Sequence, residues 1–267
     1  MPFANNNGVK IHYEVEGQGP PLILQHGAGG NLESWYERGY VQELAKDYRL
    51  ILVDARGHGR SDKPHESAAW RPDIVARDYV AILDDLGVQK AGYFGYSMGG
   101  RIGFQAIAKY ALPRFNSLIL GGATPYGFME VEKSALQERI AALELSVKSG
   151  INAYITFLEK IYGTLSPEMK ESELANDPQA LLTMFKSTVA WPSAENILPA
   201  ITTPCLVFAG DADPRYAGAR ECSLHMPKAT FISFPHLNHL QCLDRSDLVL
   251  PHVKKFLAEV SKSLLKE

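Results

Sequence analysis

The sequence predicts an α/β chain built on a mostly parallel, doubly wound sheet with an inserted helical cap. Three observations carry this. Short apolar runs without alternation recur between Gly, Asp and Pro, as strands covered on both faces require. Amphipathic stretches alternate with those runs in the manner of βαβ units. One long stretch, 126–199, breaks the alternation with helical patterning and no convincing strand.

Residues 9–15 (VKIHYEV) alternate as an edge or hairpin strand should, and the Gly17–Gln18–Gly19–Pro20 cluster ends them. Buried strands are predicted at 21–24, 50–53, 91–94, 118–120, 205–208 and 230–234, and helices at 33–46, 72–86, 98–110 and 248–265. Within the insertion, 130–147 and 151–162 read as helices. The division is thus a core of 1–125 and 200–267 and a cap of 126–199.

Hydrophobic residues at 46% and charged residues at 21% fit a folded globular chain and exclude disorder. With 27 basic against 30 acidic side chains and no basic stripe, nucleic acid is not an expected partner. No apolar run is long enough to span a bilayer, and the first residues lack a secretory h-region. The expectation is a cytoplasmic protein without membrane attachment. Cys205, Cys222 and Cys242 are too few, and odd in number, for a disulfide framework. Cys205 reads as core, and Cys242 stands close enough to a candidate His to line a site.

After the strand AGYF comes Gly95–Tyr96–Ser97–Met98–Gly99–Gly100 and then an amphipathic run. This is the strand–turn–helix setting of a G-x-S-x-G elbow, in which a sharp turn lifts the serine above the sheet edge. Ser97 is the candidate nucleophile, and the backbone N–H of Met98, at the helix start, faces the same space. A serine needs a base and an orienting acid. Two carboxylates, Asp211 and Asp213, follow the strand CLVFAG, and two histidines, His236 and His239, follow TFISF. Position along the chain favours Asp213 and His239 only weakly. The loop His26–Gly27–Ala28–Gly29–Gly30 lacks the features of a phosphate loop, and its economical role is a second oxyanion donor, the Ala28 N–H. His26 then reads as structural. The loop 54–62, rich in Asp, Arg and His, has no companion cluster at ligand spacing and reads as a structural turn, so no metal is expected.

Together, His26–Gly27, the 54–61 loop, the Ser97 elbow, Gly210-x-x-Asp213 and Asn238–His239 resemble the α/β-hydrolase superfamily over essentially the whole chain. The resemblance implies the α/β-hydrolase fold, a triad of Ser97, Asp213 and His239, oxyanion donors at Ala28 and Met98, and a lid at 126–199. It also implies the serine branch, because haloalkane dehalogenases and epoxide hydrolases carry Asp at the nucleophile position. Carboxylesterases, enol-lactonases, C–C hydrolases of ring-cleavage products and perhydrolases are the similar serine members. The expected substrate is a small-molecule ester or lactone. No cofactor is implied. Trp35 and the cap aromatics Phe128, Phe157, Tyr162, Phe185 and Trp191 are the candidates for lining the pocket. A basic cluster in the cap, drawn from Lys133, Arg139, Lys148, Lys160, Lys170 and Lys186, would favour a carboxylate-bearing C–C hydrolase substrate.

Overall fold

A computed structural model describes residues 2–127 and 130–264. Its sheet has eight strands: β1 (Phe3–Asn6), β2 (Val9–Glu16), β3 (Pro21–Gln25), β4 (Arg49–Val53), β5 (Ala91–Tyr96), β6 (Phe115–Gly121), β7 (Cys205–Gly210) and β8 (Ala229–Phe234). Their order is β1-β2-β4-β3-β5-β6-β7-β8. β1 and β2 run antiparallel at one edge, and from β4 onward every pairing is parallel. The short β1 has no apolar run or regular alternation that would have marked it in the sequence.

Residue parity within each strand decides which layer it serves. Ile23, Ile51, Val53, Tyr93 and Val207 join one core cluster, whereas Leu22, Leu24, Leu50, Leu52, Phe94 and Phe208 join the other. The first cluster is covered by α3 (Pro72–Asp85), by a helix running from α4 (Met98–Ile102) through a π turn (Gly103–Ile107) to α5 (Ala108–Tyr110), and by α10 (Tyr216–Leu224). The second is covered by α1 (Glu33–Glu37), α2 (Tyr40–Leu44) and α12 (Ser246–Leu264), the last preceded by α11 (His239–Asp244). The single helix expected over 33–46 is two, because Gly39 takes φ 77° and turns the chain between them.

Between β6 and β7 lie α6 (Glu130–Ser149), α7 (Asn152–Tyr162), α8 (Pro167–Leu174) and α9 (Pro178–Val189). Their apolar faces form a third cluster, centred on Leu143, Tyr154, Leu158, Leu181 and Met184, against which Ala28 and Met98 of the core pack. At the base of this insertion the backbone closes on itself, Ala194 N donating to Pro125 O at 2.9 Å. Among the described residues no helix is long and apolar enough to cross a membrane.

After β3 the chain goes to β4 on one side and then to β5 on the other. The strand order therefore reverses at the carboxyl ends of β3 and β5, where open α/β sheets leave a crevice for a site. Gly99 lets the two ends meet: a Cβ there would overlap the carbonyl of Gln25, part of the central backbone. Gly99→Ala should lower the unfolding free energy by about 1–3 kcal/mol in urea titration. Gly127→Ala, where a Cβ meets open space, should change it by less than about 0.5 kcal/mol.

Candidate active site

Ser97 follows the last residue of β5 with φ 55° and ψ −110°, a strained backbone conformation for a residue other than glycine. Its N–H donates to Gly121 O at 2.9 Å, and its C=O accepts from Arg101 N at 2.9 Å, so the turn is held from the neighbouring strand and from the helix it starts. A Cβ on Gly95 would overlap the backbone of Gly99. The chain can double back here only without one.

The structure brings Ser97, His239 and Asp213 together in one hydrogen-bonded line. His239 Nε2 accepts from Ser97 Oγ at 2.8 Å, and its Nδ1–H donates to Asp213 Oδ2 at 2.6 Å. Because Nδ1 carries that proton, Arg215 Nη1, 3.4 Å away, is a neighbouring charge and not a donor to it. His239 starts α11, whose N-terminus is fixed by a capping box of Asn238 and Gln241. Its backbone carbonyl accepts from Tyr96 OH at 2.5 Å. Asp213 is buried. Its Oδ1 accepts from Arg215 N at 3.0 Å.

The alternatives left open by spacing have other work. Asp211 is exposed and accepts from His236 N at 2.7 Å, holding a turn in which His236 takes φ 61°.

Burial pushes the His239 imidazole below its ordinary value against the pull of the Asp213 hydrogen bond, and the charges of Arg215 and Arg139 push the same way as burial. Burial alone would raise the Asp213 carboxyl. The His239 bond and charge, the Arg215 N–H and the Arg215 charge outweigh it, and the carboxyl lies below its usual range. The resting site is therefore a neutral imidazole between a hydroxyl and a carboxylate.

The loop after β3 makes a four-residue turn closed by Gly30 N to Gly27 O at 3.3 Å, with Gly29 at φ 81° as a type II turn demands at its third position. His26 Nδ1–H donates to Gly27 O at 2.7 Å while its Nε2 accepts from Ala55 N at 3.1 Å. His58 Nδ1–H donates to Arg56 O at 3.1 Å while its Nε2 accepts from Gly29 N at 3.1 Å. Each ring is thus a neutral tautomer with both nitrogens engaged. Burial lowers both, His58 to about 3. No acceptor among the described residues takes the N–H of Ala28 or Met98. Both residues border the cavity that holds Ser97 and His239.

The 54–62 loop is a brace. Asp54 accepts from Leu32 N at 2.9 Å, Arg60 N at 2.9 Å and His12 Nδ1 at 2.8 Å, and Arg56 is buried against Asp78 at 2.5 Å.

The cavity, of about 620 Å³, is bounded by the ends of β3 and β5 and by the inserted helices. Phe185 and Trp191 line it. Trp35 does not: it is 1% exposed and packs on Tyr40 and Phe94 in the layer under α12, because its position on α1 turns it below the sheet. Phe157 does not either. It stacks with Tyr154 inside the insertion and lies under the Arg139 guanidinium. Phe128 lies outside the described residues, as does the Tyr162 side chain. Cys242 is buried in the lower core and raised to about 12 by burial, which removes it as a thiolate.

Of the six basic residues of the insertion, Arg139 lines the cavity, whereas Lys160, Lys170 and Lys186 form exposed pairs with Glu138, Glu159 and Glu144. Arg101, Arg215, Glu132 and Glu173 also face the cavity. Arg101 stands four residues after Ser97, a helical spacing that places the two on the same face. Burial first and the Arg215 charge second lower it to about 10. Arg215 pairs with Glu132 at 2.9 Å.

A family model for the α/β hydrolase fold matches residues 20–148. The 3-oxoadipate enol-lactonase 2 of Acinetobacter baylyi is 31% identical over 216 residues, 77% of each chain. A 2-hydroxy-6-oxononadienedioate/2-hydroxy-6-oxononatrienedioate hydrolase of Burkholderia vietnamiensis is 27% identical over 246 residues, 86% of this chain and 85% of that one. A thermophilic esterase from Thermogutta terrifontis superposes with TM-score 0.82 at 23% identity, covering 97% of this chain and 98% of its own. The chain belongs to the α/β-hydrolase superfamily.

The buried neutral His58 predicts a pH signature. Its proton affinity is lower folded than unfolded, so its contribution to stability is full above 6.5 and is lost as pH falls toward about 3. In urea unfolding, His58→Asn should flatten the dependence of stability on pH between 6.5 and 5 by up to about 1.4 kcal/mol per pH unit.

Proposed function

We propose that the protein is a serine hydrolase that cleaves a carboxylic ester or lactone of a small molecule through an acyl-enzyme on Ser97. One observation carries the reading: the unbroken Ser97–His239–Asp213 line opens into the cavity beside the backbone N–H groups of Ala28 and Met98, which meet no acceptor among the described residues. His239 takes the Ser97 proton as Oγ attacks the carbonyl carbon, and Asp213 stabilises the imidazolium that forms. The N–H groups of Ala28 and Met98 bind the developing oxyanion, each donor being worth about 10²–10³ in rate. The imidazolium returns its proton to the leaving oxygen. Water, deprotonated by the same His239, then releases the acid. The segment 126–199 acts as a lid over the core, and the activity of the enol-lactonase relative supports the bond type.

A second reading, C–C hydrolysis of a carboxylate-bearing ketone, is favoured by Arg139 and Arg215 in the cavity and by the dioate named for the Burkholderia relative. In this case the same triad would act on a carbonyl whose substrate is held by its carboxylate.

Three measurements test the proposal. On a panel of chromogenic acyl esters and lactones, Ser97→Ala should lose several orders of magnitude in kcat, and turnover surviving intact would refute the mechanism. Asp213→Asn should drop kcat by about 10⁴, whereas Asp211→Asn should change it little. For a neutral ester, kcat/KM should fall on the acid side with a midpoint below the ordinary imidazole value of 6.5, since only neutral His239 is a base. To separate the two readings, Arg139→Gln should raise KM about tenfold for a carboxylate-bearing substrate, the loss of roughly one charge-assisted hydrogen bond, and leave a neutral ester unaffected.

A further inference from the structure

The turn at 27–30 has one support that does not come from the core. Its central peptide is fixed by His58, through the Gly29 N–H, and its first carbonyl by His26. The peptide between Gly29 and Gly30 joins two residues with no Cβ and has the fewest steric limits of the three. One end of it, Gly30 N–H, reaches Gly27 O at 3.3 Å, a long bond. The other end, Gly29 O, accepts from Asn176 Nδ2 at 2.8 Å, across 147 residues of chain.

Asn176 follows α8 and is buried. The second hydrogen of the same Nδ2 goes to Glu173 Oε2 at 3.0 Å, which fixes the amide with nitrogen, not oxygen, toward Gly29. The Glu173 carboxyl lies so close to Gly29 that a Cβ there would come within 2.6 Å of Oε1. Asn31 Nδ2 donates to Ser172 Oγ at 3.3 Å one step further along. The loop and the end of α8 are thus fitted to each other over residues 29–31 and 172–176.

We propose that Asn176 is a positioning residue for the oxyanion donor at Ala28, locking the turn 27–30 through the Gly29 carbonyl only while the inserted helices are seated on the core. The Ala28 N–H belongs to the same peptide as Gly27 O. If the Gly29–Gly30 peptide turns, Gly30 N–H leaves Gly27 O and the turn that aims Ala28 N–H loses its closure. Seating of the insertion and completion of the oxyanion hole then become one event. The idea rests on the serine-hydrolase reading of the site, yet part of it can be read without turnover.

Asn176→Asp keeps the shape and replaces two donor hydrogens with a carboxylate facing two acceptors. Asn176→Ala removes the group. With a neutral chromogenic acetyl ester, both variants should lose about tenfold or more in kcat with KM within about twofold. Affinity for a phenylboronic acid, which forms a tetrahedral anion on the serine, should fall in parallel with kcat. Amide hydrogen exchange at Gly30 should quicken in both variants and stay unchanged in Ser97→Ala. Thermal unfolding reports whether the variants remain folded. A raised KM with unchanged kcat and boronate affinity would make Asn176 a mere fastener of the insertion, and unchanged exchange at Gly30 would overturn the lock outright. Ester turnover that persists in Ser97→Ala would instead overturn the hydrolase reading, with the exchange result still deciding the lock.

Discussion

The backbone of Ser97, at φ 55° and ψ −110°, occupies a region that costs about 1–3 kcal/mol, and the surroundings are arranged to offset it. Gly95 and Gly99 remove the side chains that would collide inside the turn and against the Gln25 carbonyl, and Gly121 leaves room for the rings of Tyr96 and Phe208. The carbonyl of Gly121, on the neighbouring strand, takes the Ser97 N–H. The elbow thus depends on three strands at once, and the strand reversal between β3 and β5 supplies the space above it. Everything else in the site is placed relative to that fixed serine.

Three histidines around the serine have both ring nitrogens engaged, and in each the tautomer follows from the partners. Two of them hold backbone and must stay neutral to do so, because protonation would turn an acceptor nitrogen into a donor facing an N–H. The third stands between the serine and a carboxylate, and in the proposed mechanism it exchanges its proton with the serine. The difference is the carboxylate: Asp213 touches His239, whereas the partners of His26 and His58 are backbone groups. The same residue type is therefore a brace in two places and the proposed base in the third, by neighbour alone.

Much of this was legible in the sequence. The parallel strands were, because a strand covered on both faces must be apolar at both parities. The Ser97, Asp213 and His239 positions were, because each stands in a short segment following a strand, where the local residue pattern and the family resemblance both apply. Which layer an apolar side chain enters was not. Trp35 and Phe157 sit on helices whose pattern marks an apolar face but not its destination, and both turned out to pack into cores. β1 carries too few apolar residues to announce itself, and Gly39 breaks a helix that periodicity alone runs through. Glu173 and Asn176 gave no signal at all, since their meaning depends on Gly29, nearly 150 residues away.

The insertion leaves the core after Pro125, and Ala194, near its other end, is hydrogen-bonded to that residue. Its two ends therefore meet at one point on the rim. A segment anchored in this way can be lengthened, shortened or exchanged at little entropic penalty to the sheet, since closure cost grows only with the logarithm of loop length. The proposed catalytic centre and the cavity wall that the insertion supplies can thus change at different rates in lineage or laboratory, with the strip around Gly29 and Asn176 as the seam where any transplanted segment must still match.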